Sequence, residues 1–429
     1  MVVMKSNRLR WAVPAATAVA VGAAFTIPSL ATASADELPE TTPAQLLAAV
    51  AQAEPTAMSG TAVYTARLGL PELPAEMTGG ADPLNLLSGS STIRVWTDGA
   101  ERSRVSLLGT ASEYSAVVDG AEAWTYSSGK NEVVHVSLDA EAQSQLDAAK
   151  ADAQERADAV DPASIPTPEV LAEQFLALAG TTSEVTLEDD VVVAGRDAYQ
   201  LEIAPRGEGS LVDRVVVAFD GETYAPLSVQ AWSTQDTSAP ALELAFTDVS
   251  METPSDAALA FSTPEGATVE EKVITGEDLA AAAPQDEAAA DALDPEALDP
   301  SALAPGAGFL PEGTSISGFG WSTVVQQQGV DVAGLLAGDP EAAADAAAQL
   351  PASPFAGRPA EDLAAEFGAD RADGGFGLDA SALYEQLTAP VDGGRVFSSA
   401  LLSALVTDDG RVLVGAVPTD TLLATAGLS

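Results

Sequence analysis

Cysteine is absent from the 429 residues, and histidine occurs only once. The lack of cysteine excludes disulfides, thiolate metal sites and thiol nucleophiles. Basic residues are also scarce, because 18 lysines and arginines stand against 64 aspartates and glutamates, and the formal net charge is -46. A surface this acidic repels phosphate backbones, so nucleic acid is not expected as a partner. Aromatic residues make up only 5% of the chain, and much of its 47% hydrophobic content is alanine.

The signatures of common enzyme sites are lacking as well. The sequence contains no G-x-S-x-G elbow, H-E-x-x-H helix, P-loop or G-x-G-x-x-G motif. A hydrolase triad would have to use His135, which lies in the alternating segment NEVVHVSL and is better explained as a surface or edge-strand residue. Acidic pairs such as Asp408-Asp409 fall at predicted turns, where carboxylates bond the local backbone. We therefore expect no catalytic residue, no cofactor and no metal site.

Residues 1–35 have the three parts of a secretory signal peptide. The first ten residues carry three basic side chains and no acid, an apolar stretch runs from Trp11 to Ala31, and the small residues Ala33-Ser34-Ala35 follow. We expect cleavage after Ala35 and an extracytoplasmic mature chain. The alternative is that the apolar stretch is retained as a membrane anchor. No later run approaches 18 consecutive apolar residues, so no transmembrane segment is expected after cleavage.

Residues 36–273 predict one sheet-rich domain with two short helices. Period-two alternation and turn pairs such as Asp119-Gly120 divide most of the region from 60 to 250 into about ten strands. Helices are predicted at 43–54 and 168–179, each opening with proline. The expected fold class is α+β, in which a curved antiparallel sheet forms an unclosed half-barrel under a helical lid.

The remaining chain predicts a linker and a second, smaller domain. Residues 274–312 are rich in alanine, proline and acidic residues, which is typical of a disordered or weakly helical linker. Residues 313–429 predict a small α+β domain of three strands and a terminal helix, interrupted by a low-complexity insertion at about 330–392. Its strands are expected at Thr314–Val325, Arg395–Val406 and Arg411–Val417, and its helix near 418–427.

A sheet of this size can enclose more space than two short helices fill, which predicts a lipid-sized cavity. Burial of an acyl chain there would contribute about 0.8 kcal/mol per methylene group. The same aromatic residues are also compatible with an ordinary sandwich core, and that alternative stays open. The predicted wall of the cavity is Trp124, Tyr126, Tyr199, Phe219 and Phe246, and the predicted helical plug is Leu47, Val50, Leu171 and Phe175.

Three segments resemble the LolA family of lipoprotein carriers. The run VVDGAEAWTYSSGKNEVVHV at 117–136 places Trp124 and Tyr126 on the strand–turn–aromatic pattern of that family. AGRDAYQLEIAP at 194–205 fits its central hairpin, and LAFSTPEGATVEE at 259–271 is similar to its closing motif. The resemblance implies an exported, non-enzymatic half-barrel that binds a lipid or an acylated protein, with a role in carrying or sorting lipoproteins.

Two further segments are similar to the small C-terminal domain of the RseB/MucB proteins. They are GFGWSTVV at 318–325 and the run at 397–426 that begins FSSALLSALV. RseB/MucB proteins are extracytoplasmic regulators of a sigma factor, with a LolA-like large domain followed by a small one. The resemblance therefore implies a second function, in which the protein senses envelope stress and contacts a membrane-bound anti-sigma factor.

Overall fold

The chain forms two β-sheets, one large and one small. The computed structural model describes residues 38–70, 80–159, 167–277, 313–337, 339, 342 and 380–428. The predicted signal peptide and most of the predicted linker lie outside these residues. The large sheet is curved and unclosed, helices are few, and the second sheet is small, so the predicted α+β fold class is confirmed.

The large sheet has twelve strands in the order β12-β6-β5-β4-β3-β2-β1-β11-β10-β9-β8-β7. Neighbouring strands are antiparallel except β6 and β12, which are parallel. Within the described residues, the outermost strands β7 and β12 are edges and do not pair with each other, which leaves the sheet open. The strands are β1 Met58–Ala66, β2 Gly89–Thr97, β3 Arg102–Leu108, β4 Glu113–Asp119, β5 Glu122–Ser127, β6 Glu132–Leu138, β7 Ser183–Val193, β8 Arg196–Pro205, β9 Val212–Asp220, β10 Pro226–Ser233, β11 Leu242–Ser250 and β12 Thr268–Ile274.

Four α-helices and a 3-10 turn at Pro83–Leu87 accompany this sheet: α1 Pro43–Gln52, α2 Ala140–Ala159, α3 Pro168–Ala179 and α4 Asp256–Leu259. Both α1 and α3 begin with proline after a threonine cap. Thr42 accepts a hydrogen bond from the Gln45 backbone, and the Gln45 side chain accepts one from the Thr42 backbone. This capping box satisfies amides that the first turn leaves unpaired. Helix α1 packs against α3. No helix among the described residues is long and apolar enough to cross a membrane.

Residues 251–267 cross one face of the sheet, because β11 lies beside β1 whereas β12 lies beside β6. Three contacts hold this crossover. Asp256 pairs with Arg102 at 2.7 Å, Leu259 is completely buried, and the Phe261 ring stacks on Trp124 with centroids 5.6 Å apart. The crossover therefore covers one face of the half of the sheet that contains β2 to β5.

The small sheet has six antiparallel strands in the order β13-β14-β18-β17-β16-β15. The sequence predicted three strands, and the structure corrects this prediction. Residues 314–325 and 395–406 each contain a turn, at 318–322 and 399–402, so each segment belongs to a hairpin. The elements are β13 Thr314–Ser317, β14 Val324–Gln328, α5 Val332–Ala337, α6 Ala380–Leu387, β15 Thr388–Val391, β16 Gly394–Ser398, β17 Ser403–Thr407, β18 Arg411–Gly415 and α7 Thr419–Ala426.

The small sheet contacts one end of the large sheet through hydrogen bonds. The core of the small unit is formed by Leu405, Leu413 and Leu422, all completely buried. At the junction, the Leu211 amide donates to the Ala416 carbonyl at 2.7 Å, the Ala400 amide donates to the Leu68 carbonyl at 2.8 Å, and Trp321 Nε1 donates to Ser183 Oγ at 2.9 Å. Satisfied backbone groups at this junction fix the two sheets against each other.

Candidate functional site

One face of the large sheet is predominantly apolar. Residues paired directly across adjacent strands lie on the same face of a sheet. Leu201 pairs with Val217, Val217 with Val229, Val229 with Leu244, and Leu244 with Tyr64. These five side chains therefore share one face, which we call the apolar face.

The apolar face continues across the other half of the sheet. Successive side chains of a strand alternate between faces, so Gly60 lies on the same face as Tyr64. Gly60 pairs with Val95, Val95 with Val105, and Val105 with Ala116. Aliphatic residues thus occupy this face from β8 to β4.

Helix α1 covers the end of the apolar face that β7, β8 and β9 form. Leu46 is buried with Tyr199 and Leu201, and Leu47, Val50 and Phe219 pack around them. Burial raises the pKa of the Tyr199 hydroxyl, which donates a hydrogen bond to the Pro39 carbonyl at 3.1 Å. This end of the face is therefore an ordinary packed core under a helix.

The middle of the apolar face stays accessible to solvent. Its aliphatic side chains are exposed to 43% at Val105, 40% at Val118, 39% at Val229 and 37% at Leu244. Val118 shares the face because it lies two residues beyond Ala116. By contrast, Val117 and Val133 on the opposite face of the same strands are almost completely buried. The accessible apolar surface, spanning β4 to β10, is the candidate functional site.

Four of the nine residues predicted to form the cavity lie together, under α1. They are Tyr199, Phe219, Leu47 and Val50. Phe175, predicted to plug the cavity, is 57% exposed on α3. The side chain of Leu171 lies outside the described part of the structure.

Trp124 and Tyr126 lie on the opposite face, so the prediction that they share a wall with Tyr199 is corrected. Their neighbour Thr125 pairs with Ala116 on the apolar face, and adjacent side chains of a strand point to opposite faces. Trp124 stacks on His135 with centroids 5.0 Å apart and also stacks on Phe261 of the crossover. Alternation separates the two faces of a strand but does not say which one the sheet curves around.

Phe246 is an aromatic residue of the apolar face, because it pairs with Ala62 and lies two residues beyond Leu244. It packs against a cluster that contains Ala198 and Ala218. The Phe246 ring also lies over Gly60 of the apolar face, since a Cβ atom at Gly60 would lie 2.9 Å from its Cδ1 and Cε1. A β-bulge shifts the register where Thr61 pairs with Asp248 and the next residue pairs with Phe246. Such a bulge inserts one extra residue and redirects the side chains beside it.

The single histidine joins the edge strand β12 to β6. His135 Nδ1 lies 2.7 Å from Glu271 Oε2, and its Nε2 lies 4.0 Å from Glu122 Oε2. His135 and Glu271 are also paired in the parallel ladder. The imidazole and its carboxylate neighbours therefore lie on three adjacent strands, β5, β6 and β12. Among the described residues, no group of three or more His, Asp or Glu side chains has the arrangement of a metal site.

The role of Trp124 can be tested by its replacement with alanine. Because the indole is half-buried between His135 and Phe261, we expect W124A to lower the free energy of unfolding by about 2 kcal/mol, below the range for a fully buried tryptophan. Urea denaturation measures this change. A loss no larger than the roughly 0.5 kcal/mol of an ordinary surface substitution would contradict the packing of Trp124 between these two rings.

Similarity to known proteins is found among solved structures and not among sequences. No family model matches the chain, and no curated protein matches it in sequence. Among solved structures, the chain is similar to the MucA/MucB complex of Pseudomonas aeruginosa, with 16% identity and a TM-score of 0.37, over 90% of this chain and 96% of that chain. It is also similar to a LolA superfamily protein of Nitrosomonas europaea, with 12% identity and a TM-score of 0.20, over 52% of this chain and 99% of that chain.

A third similar structure is an uncharacterized conserved protein of Thermus thermophilus, with 14% identity and a TM-score of 0.30, over 53% of this chain and 97% of that chain. Identities and TM-scores this low identify no ligand and no partner. The functional proposal therefore depends on the residues of the apolar face.

Proposed function

We propose that the chain is an exported, non-enzymatic protein that binds a lipid, or the acyl chain of an acylated protein, on the accessible part of the apolar face. The observation that carries the proposal is the partial exposure of Val105, Val118, Val229 and Leu244 on one face of a curved sheet. Contiguous exposed apolar surface in a protein this acidic is typical of a binding site. Transport of an acylated protein would be a use of the same surface.

The energy available on this surface is sufficient for reversible binding. Each buried methylene contributes about 0.8 kcal/mol, so burial of about eight methylenes of a longer chain contributes roughly 6 kcal/mol. That free energy corresponds to a dissociation constant of roughly tens of micromolar. No covalent step is needed.

The paired helices offer a cover for a bound chain. Helix α1 packs on α3, and α3 exposes Val170 and Phe175. Exposed apolar side chains on α3 would gain burial if they contacted a ligand bound on the part of the apolar face beside α1. The lid is therefore proposed to act by additional apolar contact.

Photo-crosslinking would test the proposal and locate the ligand. A monoacylglycerol that carries a diazirine in its acyl chain is a suitable probe, because it has no charge for an acidic protein to repel. We expect labelled peptides from β3, β4, β10 and β11, with modified side chains on the apolar face. Mass spectrometry of an organic extract of the freshly purified chain should also recover lipid. Absence of labelling, or labelling confined to Trp124 and Phe261, would contradict the proposal.

A second candidate function is contact between the small unit and another protein, such as a membrane-bound anti-sigma factor. Its supporting observation is the exposure of Phe319, at 66%, together with the exposed side chains of Val325 and Leu402. A photoreactive residue at position 319 of the full chain, expressed in its own cell, would test this candidate. Crosslinking to a membrane protein with a sigma-factor-binding domain would support it, and a Thr97 probe provides the control on the large sheet.

A further inference from the structure

The large sheet also has a cleft whose polar side chains lie on the face opposite the apolar face. It is an open cleft of about 400 Å³ on strands β1, β2 and β11, bordered by the turn between β7 and β8. Ser59 pairs with Trp96, and Thr61 pairs with Arg94, so these four side chains share one face. The residues that matter here are Ser59, Thr61, Arg94, Trp96, Ala194 and Asp248.

Arg94 gives the cleft a cation that no described carboxylate neutralises. Its guanidinium lies 5.8 Å from the centroid of the Trp96 ring, an arrangement that holds it by a cation–π interaction. Other arginines are engaged by acids: Arg102 binds Asp256 and Arg196 binds Asp220. An exposed, oriented guanidinium in a chain of net charge -46 is suited to bind an anion, and phosphate matches its paired donors.

Apart from Gly60, Val249 and the bordering Ala194, the rest of the cleft is lined by residues that carry hydroxyl groups and one carboxylate. Ser59, Thr61, Thr247 and Ser250 supply hydroxyls, and Asp248 supplies the carboxylate. Asp248 Oδ1 accepts a hydrogen bond from the Thr61 amide at 3.2 Å, and the Thr247 hydroxyl donates to the Thr61 carbonyl at 3.1 Å. Fixed donors and acceptors of this kind match the hydroxyl groups of a sugar or polyol.

The turn that borders the cleft uses an unfavourable residue. Val193 pairs with Arg196, which leaves Ala194 and Gly195 as a two-residue turn with φ values of 53° and 78°. Asparagine is favoured at the first of these positions because a non-glycine residue with positive φ is otherwise strained. Alanine keeps the side chain small where it lines the cleft, whereas asparagine would project three more heavy atoms from the same position. Strained backbone of this kind is concentrated at functional sites.

We propose that this cleft binds a phosphorylated sugar or polyol. Arg94 holds the phosphate against Trp96, while Asp248 and the surrounding hydroxyls bind the hydroxyl groups. The ligand is either a free metabolite or the headgroup of a lipid, since both present the same chemistry. The proposal is independent of lipid binding on the apolar face, because the two sites lie on opposite faces.

Calorimetric titration of the full chain with glucose 6-phosphate tests the proposal, with glucose and inorganic phosphate titrated separately at the same ionic strength. We expect saturable binding of glucose 6-phosphate, and we expect glucose and inorganic phosphate each to bind at least about tenfold more weakly. Vesicles of phosphatidylcholine with and without phosphatidylglycerol form the second arm. Binding of phosphatidylglycerol vesicles without binding of glucose 6-phosphate supports the site and identifies a lipid headgroup as its ligand. If neither glucose 6-phosphate nor the phosphatidylglycerol vesicles bind, the proposal is overturned.

The variants A194N and A194G separate binding from folding. Asparagine should maintain or raise the thermal unfolding temperature and weaken binding of the active probe at least about tenfold, because it fills the cleft. Glycine relieves the same strain without filling the cleft and should keep the binding. R94Q should also lose about tenfold in affinity. Equal affinities for the original chain, A194N and R94Q would overturn the proposal.

Discussion

Replacing Val105 with aspartate is expected to weaken binding of a neutral acyl probe by about tenfold to a hundredfold. The substitution places a carboxylate in the centre of the accessible apolar surface, where a bound acyl chain would have to remove its water. Polar groups buried without a partner cost about 1–3 kcal/mol in proteins, and a charged group costs more. Fluorescence titration with a monoacylglycerol that carries a conjugated polyene measures the affinity.

Val269→Asp is the matched control for this experiment. Val269 is a valine of nearly equal exposure, 40%, and it pairs with Val133 on the opposite face. V269D changes the net charge by the same amount as V105D, so it accounts for any general effect of added acid. Binding should change less than about twofold in V269D, within the ordinary variation of a surface substitution. Similar losses in both variants would place the acyl chain elsewhere.

Replacing Asp220 with asparagine is expected to lower the free energy of unfolding by about 3 kcal/mol. Asp220 is only 1% exposed, and its Oδ2 accepts hydrogen bonds from Arg196 Nη2 at 2.9 Å and from both the amide and hydroxyl of Thr223 at 2.8 Å. Loss of the carboxylate leaves the Arg196 guanidinium without its buried partner. Arg196 is a quarter exposed, so water compensates part of the loss, and the estimate stays at the low end for a buried pair.

The pH dependence of stability should change with the same substitution. Burial alone would raise the pKa of Asp220, but hydrogen bonds from Arg196 and Thr223 outweigh burial and hold it below its ordinary value. The contribution of Asp220 is therefore complete above about pH 4, the ordinary pKa of aspartate, and is lost as the pH falls through the lower folded value. Urea denaturation from pH 7 to pH 3 should show a shallower acid decline for D220N.

Asp236→Asn provides the control for D220N. The pKa of Asp236 is also lowered, by hydrogen bonds from the Ser238 hydroxyl and amide, but this carboxylate lies in an exposed turn. Water can replace those bonds, so D236N should leave the midpoint of denaturation at pH 7 nearly unchanged. If D220N were as stable as D236N, the ion pair between Arg196 on β8 and Asp220 on β9 would not stabilise the fold.

The elements of the large sheet could be predicted from local patterns. Turn pairs and period-two alternation predicted about ten strands between residues 60 and 250, where the structure has eleven, because each signal depends only on neighbours in the sequence. Strand β12 was not predicted, since its sequence, TVEEKVI, is charged and its parallel pairing to β6 follows a long crossover. The hairpins of the small sheet were missed for a different reason: apolar residues flank the turns at Gly318 and Ala400 and make each segment resemble one strand.

The site was harder to predict than the fold. Aromatic residues attracted the cavity hypothesis, yet Trp124 packs on the other face, where the crossover supplies a partner that no local pattern shows. The accessible side chains are aliphatic, and Val105 and Val229 differ from buried valines only in what lies above them. In the sequence, Val105 and Val229 are marked only by alternation with polar neighbours. This alternation indicates a shared apolar face only once the pairing of the strands is known.

In the described part of the chain, β7 and β12 are unpaired edges, so the curvature of the large sheet can change in a way that a closed barrel does not allow. Each interior strand can rotate slightly against its neighbour while every ladder bond is kept, and small rotations add up across twelve strands. A cylinder of fixed circumference would have to break a whole ladder to widen. The lipid-binding function proposed above would therefore extend to acyl groups of different width, from a single chain to a branched or doubled one.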